Sequence, residues 1–109
     1  MLTVSFESLS YIKEHDPNYL LFLVRNGHLE PCELTFAVEL IGDLPKSKPI
    51  LLDLLYHPDA VVREGVLYGL AKNLDDEVKN KIASIDDPSP AINEIIKSML
   101  EDKCFRQLH

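Results

Sequence analysis

One stretch constrains this chain more than any other: PILLDLLYHPDAVVREGVLYGLAK, residues 49–72. Two helical runs meet there at His57-Pro58-Asp59. Proline cannot continue the first run, so the chain breaks there and restarts. In the second run Val62, Val66 and Leu70 fall four apart, which aligns them on one helix face. A lone hairpin leaves such an apolar stripe uncovered and needs neighbours. The chain supplies them by repetition. Shifted by thirty residues, Pro58 falls on Pro88, Val62 on Ile92, Glu64 on Glu94, Val66 on Ile96 and Leu70 on Leu100. One period earlier, Cys32, Phe36 and Leu40 take the places of Val62, Val66 and Leu70, and Phe22, Leu52 and Ile82 share a register in the preceding helices. Periods of roughly 20 to 50 residues mark arrays in which each unit covers its neighbour's apolar face.

Turn and capping residues divide the chain. Residues 1–15 predict a short helix from about Ser5, with Phe6, Leu9 and Ile12 at helical spacing, serving as an N-terminal cap. Asp16-Pro17 starts a helix that stops at Gly27. Glu30-Pro31 opens CELTFAVELIG, which Gly42 and Pro45 close, and Ser47 is placed to cap the next helix. Asp75, Asp76 and Glu77 favour the positive end of a helix starting there. Asp86-Asp87-Pro88-Ser89-Pro90 makes the last corner, and the tail CFRQLH is expected to fray. No alternating run or Asn-Gly turn predicts a strand. The reading is one domain, 1–109, with capping helix 1–15, repeats 17–42, 47–73 and 75–102, and tail 103–109.

The text HPDAVVREGVLYGLA, residues 57–71, resembles a HEAT-like repeat, with Val62-Arg63-Glu64 matching that family's Val-Arg-Glu. The resemblance implies an all-α fold: a short right-handed α-solenoid of stacked antiparallel helix pairs, six main helices plus the N-terminal one. It implies a habit of binding macromolecules and carries no catalytic residues. Gly65 and Gly69 stand where the family usually has alanine. Each costs about 1 kcal/mol of helix stability relative to alanine, so either the paired helices approach closely there or the glycines merely weaken an exposed helix. The third unit departs from the pattern at Asn93, Ile95 and Met99, and the first at Pro31 and Glu33. HEAT-like units also occur in phycobilin lyases and alkylpurine glycosylases; this chain is short for either.

Charge narrows the partners. Eighteen acids against eleven bases leave a net charge of −7. The basic stripe expected of a nucleic-acid binder is missing. An acidic surface speeds association with a basic protein, though it also simply keeps a protein soluble. Cys32 and Cys104 are too few for a disulfide framework, and Cys32 is expected to be a buried free thiol. The absence of a signal-like segment and of a membrane-length apolar run predicts a cytoplasmic protein that does not contact membrane.

The candidate partner-binding residues are Glu33, Asp59, Glu64, Tyr68, Asp86, Asp87 and Glu94. Glu33, Glu64 and Glu94 recur at close to the repeat period, so stacking would bring three carboxylates into one ridge. Tyr68 lies opposite the Val62-Val66-Leu70 stripe, either as an interface anchor or as a ring covering an edge between units. Arg63 either anchors a partner or, as the resemblance to HEAT-like repeats implies, pairs with an acid at a neighbouring corner, Asp59 or Asp87. Leu34 and Val38 occupy the positions of Glu64 and Tyr68, so they lie beneath the N-terminal helix or form part of a binding patch. The histidines are not spaced for zinc, and no nucleophile elbow or phosphate loop is present. The expectation is a non-enzymatic, cofactor-free protein-binding module. Its size and acidity look like those of a bacterial immunity protein that neutralises a basic toxin such as a nuclease. The alternatives are a scaffold or adaptor subunit and, less favoured, an enzyme of the lyase or glycosylase type.

Overall fold

The computed structural model describes residues 5–101; Asp102, Cys104 and the tail 103–109 lie outside them, as do residues 1–4. Among the described residues there are seven helices and no strand: α1 (Phe6–His15), α2 (Pro17–Arg25), α3 (Pro31–Leu40), α4 (Lys48–Leu54), α5 (Ala60–Ala71), α6 (Asp76–Ala83) and α7 (Pro90–Glu101). A single 3-10 turn, Ile41–Asp43, follows α3.

The start signals act as their chemistry dictates. Asp16 accepts the Tyr19 N–H at 3.2 Å, Asp59 the Val61 N–H at 2.8 Å and Asp75 the Val78 N–H at 2.9 Å. Each satisfies an amide that the first helical turn leaves open. Gly27 ends α2 with φ +69°, a conformation in which a side chain would be strained. Ser47 departs from expectation. Its buried hydroxyl donates to the Leu44 carbonyl at 2.8 Å, fastening the turn before α4 instead of capping that helix.

Helices α2 and α3, α4 and α5, and α6 and α7 pack in sequence-adjacent pairs. Helix α5 also packs against both α3 and α7, and α1 lies against α2 and α3. Val62, Val66, Ile92 and Ile96 are all buried, so α5 and α7 share an apolar seam. Because α5 has neighbours on several sides, Gly65, Leu67 and Gly69 are buried along with its apolar stripe.

The glycines set the closest approach. A Cβ on Gly65 would meet the Thr35 carbonyl oxygen at 2.5 Å, one on Gly69 the Val38 carbonyl oxygen at 2.3 Å, and one on Gly42 the Gly69 carbonyl oxygen at 2.1 Å. These obstacles are backbone, which cannot swing aside. Close packing is therefore the reason for Gly65 and Gly69, and Gly42 belongs to the same contact.

The repeat register needs correction in the first unit. Cys32 and Phe36 are exposed, whereas Leu34, Ala37, Val38 and Ile41 are buried. Two stripes compete in CELTFAVELIG, and the second follows the i, i+3, i+4, i+7 pattern of a full core face. It wins because Thr35 and Val38 must meet the α5 glycines. A shift of twenty-eight, not thirty, superposes buried Leu34 and Val38 on buried Val62 and Val66. Phe22 is likewise exposed while Leu21 and Leu51 are buried, and Met99, not Leu100, enters the core at the end of α7.

Replacing Gly69 with alanine should lower unfolding free energy by about 1 kcal/mol, because overpacking of about 1–3 kcal/mol exceeds the helix-propensity gain of about 1. Gly27→Ala should cost about 1 kcal/mol through backbone strain alone, since no atom lies within 4 Å of the added Cβ. Urea denaturation followed by far-ultraviolet circular dichroism measures both.

Candidate binding face

The outward side of α5 carries Val61, Glu64 and Tyr68, spaced i, i+3, i+7 and thus on one face. Thr35 fixes the neighbouring helix beside them: its hydroxyl donates to the Val61 carbonyl at 2.9 Å. Phe36 and Glu39, both exposed on α3, flank that seam. Phe6 of α1 then meets Phe36 edge-on, with ring centroids 5.4 Å apart and planes at 72°. Edge-to-face geometry sets the positive ring edge against the negative ring face.

Tyr68 is half-buried and packs against the rim of the core. Burial raises its phenol above the usual range, and the negative charges of Glu64 and Glu39 push it further. Glu64 precedes Tyr68 by one helical turn, an i, i+4 neighbour on α5. Glu94 is exposed on α7, and Glu64 is half-exposed.

The ridge of three recurrent glutamates does not form. Glu33 is only 3% exposed, and its Oε1 accepts the Glu30 backbone N–H at 2.9 Å at the start of α3. That reciprocal arrangement at a helix N-terminus gives the residue a structural role. Glu39, which the sequence reading passed over, supplies the acid on α3. The i, i+3 spacing from Phe36 was the available signal, and the misread register concealed it. Leu34 and Val38 belong to the core, not to an open patch.

The corner acids divide by role. Asp87 is buried and receives a two-pronged contact from Arg63: Nε donates to Oδ2 at 2.9 Å and Nη2 to Oδ1 at 3.1 Å. Arg63 Nη1 also donates to the His57 and Pro58 carbonyls at 2.8 and 3.0 Å. Asp87 Oδ1 accepts the Ser89 N–H at 2.9 Å, while Asn93 exchanges two hydrogen bonds with the Asp87 backbone. Arg63 and Asp87 are thus structural partners joining two corners. Burial pushes the Asp87 carboxyl up, but Arg63 and the Ser89 amide outweigh it and hold it below its ordinary range. Asp59 is half-buried as the α5 cap, and Asp86 is exposed.

Between α4 and α6 lies a groove of about 590 Å³, with Leu52 and Tyr56 beside Asp53, Glu77 and Lys81. The Lys81 ammonium sits 5.6 Å from the Tyr56 ring centroid, within cation–π range. Lys48 bonds Asp75 and, at 3.1 Å, Glu77. Among the described residues no three His, Cys, Asp or Glu side chains gather to hold a metal, and no helix is long and apolar enough to cross a membrane.

Comparison of the chain with protein-family models, with curated proteins and with solved structures finds no match.

The Asp87 carboxyl, depressed in the folded state, contributes stability at neutral pH that falls away as pH drops through and below the ordinary carboxylate value of about 4. Asp87→Asn leaves the Arg63 guanidinium without its countercharge and should cost about 3 kcal/mol at pH 7. The difference from the parent protein should shrink on titration from about pH 6 to about pH 3, which urea midpoints at each pH would register.

Proposed function

We propose that this chain is a non-catalytic protein-binding module, a short right-handed α-solenoid of HEAT-like hairpins, which binds a basic protein. In its most specific form, the proposal is an immunity-type inhibitor that covers the phosphate-holding surface of a basic toxin such as a nuclease. One observation carries it. Glu64 and Glu94 stand on the outer side of α5 and α7, and among the described residues neither enters an ion pair. Lys13, Lys48 and Arg63 are instead engaged with Asp43, with Asp75 and Glu77, and with Asp87. Three cations are engaged in internal pairs while Glu64 and Glu94 enter none, against a net charge of −7.

A protein that cleaves nucleic acid must itself hold phosphates and so tends to present lysine and arginine. Opposite charge accelerates encounter with such a surface and disfavours acidic competitors. Exposed Asp86 extends the acidic character to the last corner. Glu33 and Asp87 are assigned to structure, and Asp59 to capping.

The test uses the purified chain to capture its partner from the native cell, followed by assay of that partner's nucleic-acid cleavage with and without the chain. The expected partner is basic, and its cleavage is inhibited at equimolar ratio. Association should slow by about tenfold or more between roughly 10 and 150 mM salt. The double reversal Glu64→Lys and Glu94→Lys should weaken binding by at least about tenfold, near 1.4 kcal/mol, with helicity unchanged. An acidic partner, an association rate indifferent to salt, or turnover by the chain alone overturns the reading.

A further inference from the structure

The proposed acidic face also carries apolar surface that the fold does not use. Phe6 is 51% exposed, Phe36 46% and Val61 58%. They are not scattered: Phe6 and Phe36 are in ring contact, and the Thr35–Val61 hydrogen bond brings α3 and α5 together beside them. Helix α3 has an alternative stripe for the core and leaves Phe36 outside it. Large aromatic and branched side chains grouped on an open face mark an interaction surface.

We infer that Phe6, Phe36 and Val61 form the apolar floor of a docking site for a cationic amphipathic segment of a partner protein, with Glu39 and Glu64 as its acidic rim. The inference rests on the basic-partner reading and adds the chemistry of the contact. Charge complementarity selects the occupant. Glu39 and Glu64 border the apolar side chains and enter no ion pair among the described residues. A matching segment sets apolar side chains on the rings and lysine or arginine over the carboxylates, as an amphipathic helix does when it lies on a groove. A second copy of this chain is a poor occupant, since two faces bearing the same acids meet like charge with like charge. The half-buried Tyr68 supplies a rigid shoulder beside Glu64 at modest entropic cost. Backbone-level contact between α3 and α5 holds floor and rim in fixed relation before binding.

The experiment uses the full chain, labelled with nitrogen-15, and two synthetic peptides of equal charge: a leucine–lysine amphipathic helix and a serine–lysine control. The leucine–lysine peptide should produce saturable shifts in the amides of Phe6, Phe36, Glu39 and Val61 and bind at least about tenfold more tightly than the control. Phe36→Ala should abolish most of that preference while leaving the circular dichroism spectrum and the control's weak binding unchanged; at a half-exposed position the fold does not depend on the ring. A Val61→Ser variant serves as a second probe from the other helix and should reduce the preference in the same direction. Equal affinity for the two peptides, or shifts confined to Glu94 and the last corner, overturns the apolar site and leaves the acidic-surface reading standing. No saturable shift with either peptide overturns both. Shifts at Phe6, Phe36 and Val61 that grow with the concentration of the chain alone identify a self-association surface and overturn the assignment to a partner.

Discussion

The contact between the backbones of α3 and α5 governs the arrangement of this molecule. Gly42, Gly65 and Gly69 remove the side chains that would hold the two helices apart. Every glycine inside a helix sacrifices some local stability. Two within α5 make sense only because tertiary packing returns more than propensity loses. With α3 seated so closely, its core stripe becomes Leu34, Ala37, Val38 and Ile41. The exposed positions of Phe36 and Glu39 follow from the same rotation. Burial of Val62 and Val66 on the adjoining side of α5 completes a helix that has little free surface.

The ion pairs play a different part. Arg63 and Asp87 lie within the structure, where two-pronged geometry and further hydrogen bonds to both groups offset the cost of removing charge from water. Lys13–Asp43 and Lys48–Glu77 lie nearer the surface, where such contacts add little to stability. Their consequence is chiefly for the field outside. They occupy two lysines, Lys13 and Lys48, that would otherwise temper the surplus of acid around them.

Much of this was legible in residue order. Capping aspartates, prolines at first helical positions and Gly27 placed the helix boundaries, since these effects are local. The central hairpin and the seam from Val62 to Ile96 were legible because α5 and α7 keep a thirty-residue spacing. The pairing of Arg63 was narrowed to two acids, and Asp87 is the one it meets. The first unit was misread because Cys32-Phe36-Leu40 and Leu34-Val38-Ile41 are both helical stripes, and the choice between them depends on a neighbour far along the chain. Periodicity shows that a face is apolar; it does not say which of two faces another helix will cover. The candidate face is subject to the same ambiguity. The recurrence of Glu33 with Glu64 and Glu94 points to surface, yet Glu33 belongs to a helix start, and the four-residue stripe points Phe36 inward, yet it faces out.

The Arg63–Asp87 link has a consequence for how the chain moves. Asp87 organises the corner between α6 and α7 through Ser89 and Asn93, yet its countercharge stands on α5. The C-terminal hairpin cannot swing away without stranding a guanidinium in a nearly dry site. Its amides should consequently exchange with solvent at rates set by the cooperative opening of the whole bundle, not by fraying from the end. Acid reaches that tether only below the ordinary carboxylate range, where protonation of Asp87 removes the countercharge that holds the last hairpin to α5.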